Sequence, residues 1–328
     1  MDDICKSQKK ICCELPNTFE LYQGLRLAVH LHLFYIDLIP EFVEFMSNIP
    51  IPFDLFISIP ETISTDEQET RTQFMALDNV LTIIIEHTPN QGRDIAPMIC
   101  TFGQTLQKYD VLLHLQTKKS PHDPNKEGWR RYILEHLLGS KDMVGRILTA
   151  LSCGVGAICP PDFLFNIPSD GWSHPNNKIE AQKVVERCGL GMNLRTDCSS
   201  IDFPQGSMLW ARVDYIKEMF NTGLQYTDFP PEPIPVDGTI AHAMERMFFL
   251  WGAKTSMKAL KLYRSYSELT FSDYARHVYL DYATAMKIKD EQIEHSKARV
   301  RRYRRLFRLL IGLMVVLSFL FVMVVTTR

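Results

Sequence analysis

The eight cysteines of this 328-residue chain follow no regular spacing, and paired C-x-x-C units are absent. That excludes the common zinc-site patterns. No apolar run follows the opening Met1-Asp-Asp-Ile-Cys-Lys6, so a cleaved secretory signal is not expected and the cysteines read as reduced cytosolic thiols. Charge of one sign is also lacking. Thirty-six Lys and Arg face 38 Asp and Glu, a formal net charge of −2, so nothing draws the whole chain toward nucleic acid. Basic residues matter only where they cluster. Internal repeats and low-complexity segments are absent as well. What remains, at 46% hydrophobic and 23% charged, is enough for one large or two small globular domains.

Most of the visible chemistry lies in residues 90–120. Ile95, Met98, Ile99, Phe102, Leu106 and Tyr109 recur at three- and four-residue steps, which predicts one helix face. Asp94 is suited to cap that helix, and Pro97 falls in its first turn. Gly92 and Arg93 then sit just ahead of a helix N-terminus, where free N–H groups and the macrodipole favour an anion. Val111–Leu115 reads as a buried strand running into Gln116-Thr-Lys-Lys-Ser120. Ligands of open α/β sheets bind outside the carboxyl ends of strands. Arg93, Lys118 and Lys119 are therefore expected at one edge, facing a phosphate-bearing ligand.

Around that stretch, strands at 26–34, 53–59 and 80–85 alternate with helices at 37–47 and 66–77, the pattern of βαβ units and a mostly parallel sheet. His30 and His32 share one strand face by the two-residue repeat; without a third ligand at useful spacing they read as satisfied strand histidines near the ligand edge rather than a metal pair. A helix is expected from Glu127 to Leu138, ended by Gly139, and another from the Ser140 cap to about Leu151. Arg130 and Arg131, in the first turn of the former, fit either a solvated surface or the Lys118–Lys119 loop. A short strand at 156–159 precedes an irregular stretch at 160–177, long enough for a lid. Helices follow at 179–187 and 214–220. Phe203-Pro-Gln-Gly-Ser-Met-Leu-Trp-Ala-Arg212 is a glycine turn into a strand. Stiff Phe229–Pro235 leads to Asp237 and a helix to Trp251, where His242, Glu245 and Arg246 share a face.

The end of the chain differs. Leu309–Val325 is 17 residues without charge, about 26 Å as a helix. Counting Leu306 and Phe307, with Arg308 snorkelling, it reaches a bilayer span. The basic flank Lys297–Arg308 should stay cytoplasmic. The expected layout is a loose leader at 1–25, a main domain at 26–264, a basic helical stalk at 265–305 and a single-pass transmembrane tail anchor at 306–328, with the main domain in the cytoplasm.

An α/β sheet, cationic loops at one edge, and carboxylates in stiff loops or ahead of helices are the parts of a nucleotide-sugar transferase. Eight segments in the same order carry a resemblance: Leu27–Tyr35, Pro52–Pro60, Asn90–Pro97, His114–Ser120, Gly128-Trp-Arg130, Leu138-Gly-Ser140, Phe203–Arg212 and Asp237–Arg246. Over roughly residues 26–255 the chain resembles the rhamnan synthesis protein F family. The resemblance implies a glycosyltransferase of GT-A-like or Rossmann-like fold that extends a rhamnose-containing cell-surface polysaccharide or lipid-linked glycan. Its expected donor is a nucleotide-activated rhamnose of the dTDP-rhamnose kind. A second likeness, to family-2 type GT-A glycosyltransferases, rests on Asn90-Gln-Gly92 and on Gly206–Arg212. Where those enzymes carry an Asp-x-Asp metal motif, this chain has His114-Leu-Gln-Thr-Lys-Lys119. A divalent ion needs hard oxygen ligands. The expectation is therefore no metal, with Lys118 or Lys119 and Arg93 neutralising the leaving diphosphate.

The expected donor-binding set is Asn90, Gly92, Arg93, Asp94, Lys118, Lys119 and Arg130. His114, Gly206, Ser207 and Trp210 are candidates for the sugar or acceptor pocket, although the core is the plainer place for Trp210. Asp237 and Glu232 are the candidate bases, although Asp237 could equally cap the following helix. The alternative is a catalytically inactive transferase-like protein that binds a glycan, nucleotide or partner at the membrane.

Overall fold

The structure, a computed structural model, describes residues 9–12, 24–119, 126–163 and 171–264. The stalk, the apolar tail, most of the leader and part of the expected lid lie outside the described residues. Among the described residues, no helix is long and apolar enough to cross a membrane.

Eight strands among the described residues form one sheet: β1 (Lys9–Cys12), β2 (Leu27–His32), β3 (Phe53–Pro60), β4 (Val80–Thr88), β5 (Val111–Gln116), β6 (Val155–Cys159), β7 (Leu209–Arg212) and β8 (Lys258–Tyr263). Their spatial order is β1-β8-β6-β7-β5-β2-β3-β4, and every neighbouring pair is parallel except the two made by β7. The expected mostly parallel α/β sheet is thus present. Residues 9–12, read from the sequence as part of a loose leader, instead pair with β8 and extend the sheet.

Among the described residues, nine α-helices flank the sheet: α1 (Ile39–Met46), α2 (Glu67–Met75), α3 (Gly103–Leu106), α4 (Trp129–Leu138), α5 (Lys141–Ser152), α6 (Pro175–Arg187), α7 (Leu194–Asp197), α8 (Val213–Phe220) and α9 (Ile240–Met247). Strand alternation divides the core. Leu27, Val29 and Leu31 of β2 join Val111, Leu113 and Leu115 of β5 in packing against α1, α4 and α5. Ala28 and Leu112 face the opposite layer, with α8, α9 and residues 95–106. Trp210 belongs to the first layer. It is fully buried, and its indole N–H donates to the Leu137 carbonyl at 3.0 Å. Its assignment to a sugar pocket is therefore corrected: alternation on β7 turns it toward the α4–α5 side.

The expected single helix from 95 to 109 is broken. Residues 97–101 form a π-turn, closed by the Phe102 N–H on the Pro97 carbonyl, and α3 follows. Pro97 has no N–H to donate, and such wide turns recur where a chain must re-aim side chains.

Candidate active site

The chain runs β2, β3, β4 outward on one side of β2 and returns with β5 on the other. Between β2 and β5 the strand order reverses, which opens a crevice at their carboxyl ends. A cavity of about 680 Å3 occupies that position, within the usual size of a small-ligand site. His32 ends β2 and Gln116 ends β5; both line the cavity.

The two cationic loops meet at this cavity. Asn90, Arg93 and Asp94 from the loop after β4 share the cavity with Lys118 and Lys119 from the loop after β5, and Ser207 and Glu232 complete the wall. Each loop is held from below. Thr117 Oγ1 accepts the backbone N–H groups of Phe34 (2.8 Å) and Tyr35 (2.9 Å), which fixes Tyr35 at the rim. The Gln91 amide donates to the Phe229 carbonyl, and Gln91 bridges Pro231, so the Pro-rich segment lies along the Asn90 loop. Glu232 is thereby brought near Arg93, 3.7 Å from its Nε.

Gly92 does not line the cavity. It serves the close packing beneath: at φ +68° an added Cβ would lie 2.4 Å from Ala96 Cβ and 2.7 Å from the Phe229 ring. Arg93 and Ser207, both lining the cavity, hold φ of 54° and 64° without being glycine. Left-handed backbone at non-glycine residues costs energy and persists where surrounding structure over-determines it. At Ser207 the cause is visible, because neighbouring Gly206 is clamped at both ends. Its N–H donates to Glu245 Oε1 (2.7 Å) and its carbonyl accepts from the Gln116 amide (2.7 Å).

The three cations differ in their ties. Lys119 is ion-paired to Asp37, whose carboxyl it holds below the usual carboxylate range. Lys118 has no ion-pair partner among the described residues; its ammonium lies 4.5 Å from the centre of the Trp129 ring. Burial lowers its pKa, opposed by Glu245 and Asp94. Arg130 stays outside the cavity, bound to Glu41 (2.7 Å) and donating to the Lys118 carbonyl (3.0 Å), so it orients the Lys118 loop from behind.

Asp237 is not among the cavity-lining residues. Its carboxylate accepts from Asn177 (2.8 Å), from its neighbour Gly238 N–H (2.9 Å) and from buried Arg246 (3.1 Å). Nor does it cap α9, whose capping position is Thr239. Asp94 departs from its expected capping role too. The Ala96 N–H already bonds the Gly92 carbonyl and Pro97 has none, so no capping donor is left. The carboxylate turns inward and accepts from His114 Nε2 at 2.9 Å. Burial alone would raise its pKa, but the hydrogen bond from His114, with His32 also close by, outweighs it and holds the group at about 2.

His114 is fully buried and meets the cavity wall through Asp94. Behind it the contacts continue: His114 Nδ1 to His30 Nδ1 (2.9 Å), His30 Nε2 to Ser58 Oγ (3.0 Å), and Ser58 Oγ to His32 Nδ1 (2.9 Å). The two-residue repeat put His30 and His32 on one face. Ser58 and the link to His114 escaped sequence reading because they depend on register, which pairs His30 with His114 and His32 with Ser58. His242 and Glu245, noted for sharing a helix face, also line the cavity.

The model of a family described as Rhamnan synthesis protein F matches residues 7–255. The chain belongs to the rhamnan synthesis protein F family. The match covers both cavity loops and starts near β1, earlier than the 26–255 expected from motifs. Two curated relatives, each named Uncharacterized protein WxcX, come from two strains of Xanthomonas campestris pv. campestris and are 29% and 28% identical over 224 residues. That span is 67% of this chain but 30% of each relative.

Proposed function

We propose that this chain is a glycosyltransferase module of GT-A-like type that transfers a sugar, rhamnose first among candidates, from a nucleotide-sugar to a growing polysaccharide or lipid-linked glycan. The observation that carries the proposal is the cavity at the reversal of strand order, lined by Arg93, Lys118 and the loop carboxylate of Glu232, in a chain of this family. In the proposed step an acceptor hydroxyl oxygen attacks the anomeric carbon while the bond from that carbon to the diphosphate oxygen breaks. Arg93 and Lys118 neutralise the charge gathering on the departing diphosphate. Glu232 takes the hydroxyl proton. Of the two candidate bases it is the one that lines the cavity, with Oε2 held by the Ile234 N–H at 2.9 Å. Gly206–Ser207, clamped by Gln116 and Glu245, supports the sugar.

The proposed step uses no divalent metal. A cationic Lys118 at the end of β5 repels a metal where hard oxygen ligands would be required. The proposal also tethers the module to a membrane through residues 306–328, so truncation before residue 297 should release it from vesicles without loss of nucleotide-sugar binding.

The test is a donor screen with the full chain and a glycan acceptor, scoring nucleoside diphosphate release with and without EDTA. Turnover that survives EDTA supports the proposal. Turnover abolished by EDTA and restored by Mg2+ or Mn2+ refutes the metal-free step, and binding without turnover against any acceptor favours an inactive, ligand-binding protein.

A further inference from the structure

The five groups Asp94, His114, His30, Ser58 and His32 form one continuous hydrogen-bonded chain, and all are buried. It begins and ends at the cavity, since Asp94 and His32 both line it. Proton positions along it follow from one end. Ionised Asp94 can only accept, so His114 Nε2 carries a hydrogen. With that one hydrogen on His114, its Nδ1 is a lone pair and His30 Nδ1 donates to it. His30 Nε2 is left to accept from the Ser58 hydroxyl, and the Ser58 oxygen in turn accepts from His32 Nδ1–H. One nitrogen remains: His32 Nε2, a lone pair with no hydrogen.

A second imidazole in the same cavity carries the opposite polarity. His242 Nδ1 lies 2.8 Å from Thr239 Oγ1 and accepts from the Thr239 N–H at 3.3 Å, so its hydrogen sits on Nε2. The 3.9 Å approach of Nδ1 to Asp237 is accordingly not an ion pair. His242 Nε2 is buried with no partner among the described residues. A buried donor left unpaired is costly, so its position argues for a ligand acceptor there.

We propose that the Asp94–His114–His30–Ser58 relay positions His32 with Nε2 unprotonated, so that His32 accepts a hydroxyl or imide hydrogen from the nucleotide-sugar while His242 donates one back. The proposal deepens the glycosyltransferase reading and takes its ligand class from it. Asp94, His114, His30 and Ser58 act through His32 and are positioning residues. Neutral imidazoles suit the scheme. Burial pushes His30 well below its ordinary value and, against the pull of Asp94, brings His32 down to about 4.

The test is NMR of the full chain carrying 15N-labelled histidine, which tells protonated from unprotonated ring nitrogens. At pH 7 His32 should carry its hydrogen on Nδ1 and His242 on Nε2. Ser58→Ala cuts the relay, so His32 should become a mixture of tautomers while His114 keeps its own. Affinity for dTDP-rhamnose should fall about tenfold, the loss of one aligned hydrogen bond. Adding dTDP, then dTDP-rhamnose, locates the donated hydrogen. A shift of the His32 signals with dTDP assigns it to the nucleotide, and a shift only with dTDP-rhamnose assigns it to the sugar. A hydrogen on His32 Nε2 in the free protein, or a Ser58→Ala chain with unchanged His32 signals and affinity, overturns the proposal. The expected tautomers without any nucleotide binding would support the relay and count against the glycosyltransferase reading.

Discussion

Acidification should destabilise this domain well above the pH at which carboxylates titrate. His32 has an ordinary value of 6.5 in the unfolded chain and about 4 when folded, because burial disfavours its charged form. Between those values the unfolded state binds more protons, so stability falls as pH drops from 6.5 toward 4. At about 1.4 kcal/mol per pH unit, His32 alone removes about 3 kcal/mol once the pH is below its folded value. His30 and His242 are lowered in the same direction, so their losses fall on the same side. Asp94 enters later: depressed from 3.8 to about 2, its contribution is intact above the ordinary carboxylate range and disappears only as pH falls through about 2. Against a typical domain stability of about 5–15 kcal/mol, the histidine loss is large. Urea unfolding followed by tryptophan fluorescence from pH 7 to 4.5 measures it. His32→Gln should flatten the pH dependence by about 2–3 kcal/mol whatever it does to stability at pH 7. A wild-type stability that is level from pH 7 to 4.5, or a variant with the wild-type slope, would refute the reasoning.

Gly92→Ala should cost about 2–5 kcal/mol in urea unfolding, from left-handed backbone strain plus overpacking against Ala96 and Phe229; a loss under about 1 kcal/mol would contradict the close packing. Lys118→Met should weaken dTDP binding by calorimetry about 10–100-fold, since an ammonium without an ion-pair partner is removed, and Lys119→Met should act less because Asp37 already holds that charge. Asp237→Asn should lower stability by about 1–3 kcal/mol by weakening the bond to buried Arg246, with turnover of the folded protein kept within about twofold. A hundredfold fall in its kcat would return Asp237 to the role of base.

Much of the sheet was legible because its signals are local. β-Branched runs such as Val80–Thr88 and alternation with amphipathic helices need no distant partner to be recognised. The Ser140 cap on Met143 was legible for the same reason. β1 was not, because four residues starting with two lysines carry no strand pattern until β8 pairs with them. α6 begins at Pro175, earlier than apolar spacing suggested; His174 as cap and proline in the first turn were the available signal.

The sequence by itself determined the α/β class, the family likeness, and the convergence of Arg93, Lys118 and Lys119 at one sheet edge, because strand ends and helix starts are set by neighbouring residues. Only the tertiary structure decided the polarity of the site. Trp210 went to the core and Asp237 to Arg246, while Asp94, freed from capping by Pro97 and the Gly92 carbonyl, became the anchor of a histidine relay. Those outcomes rest on register and on which donors are already satisfied, and both are settled between segments far apart in the chain.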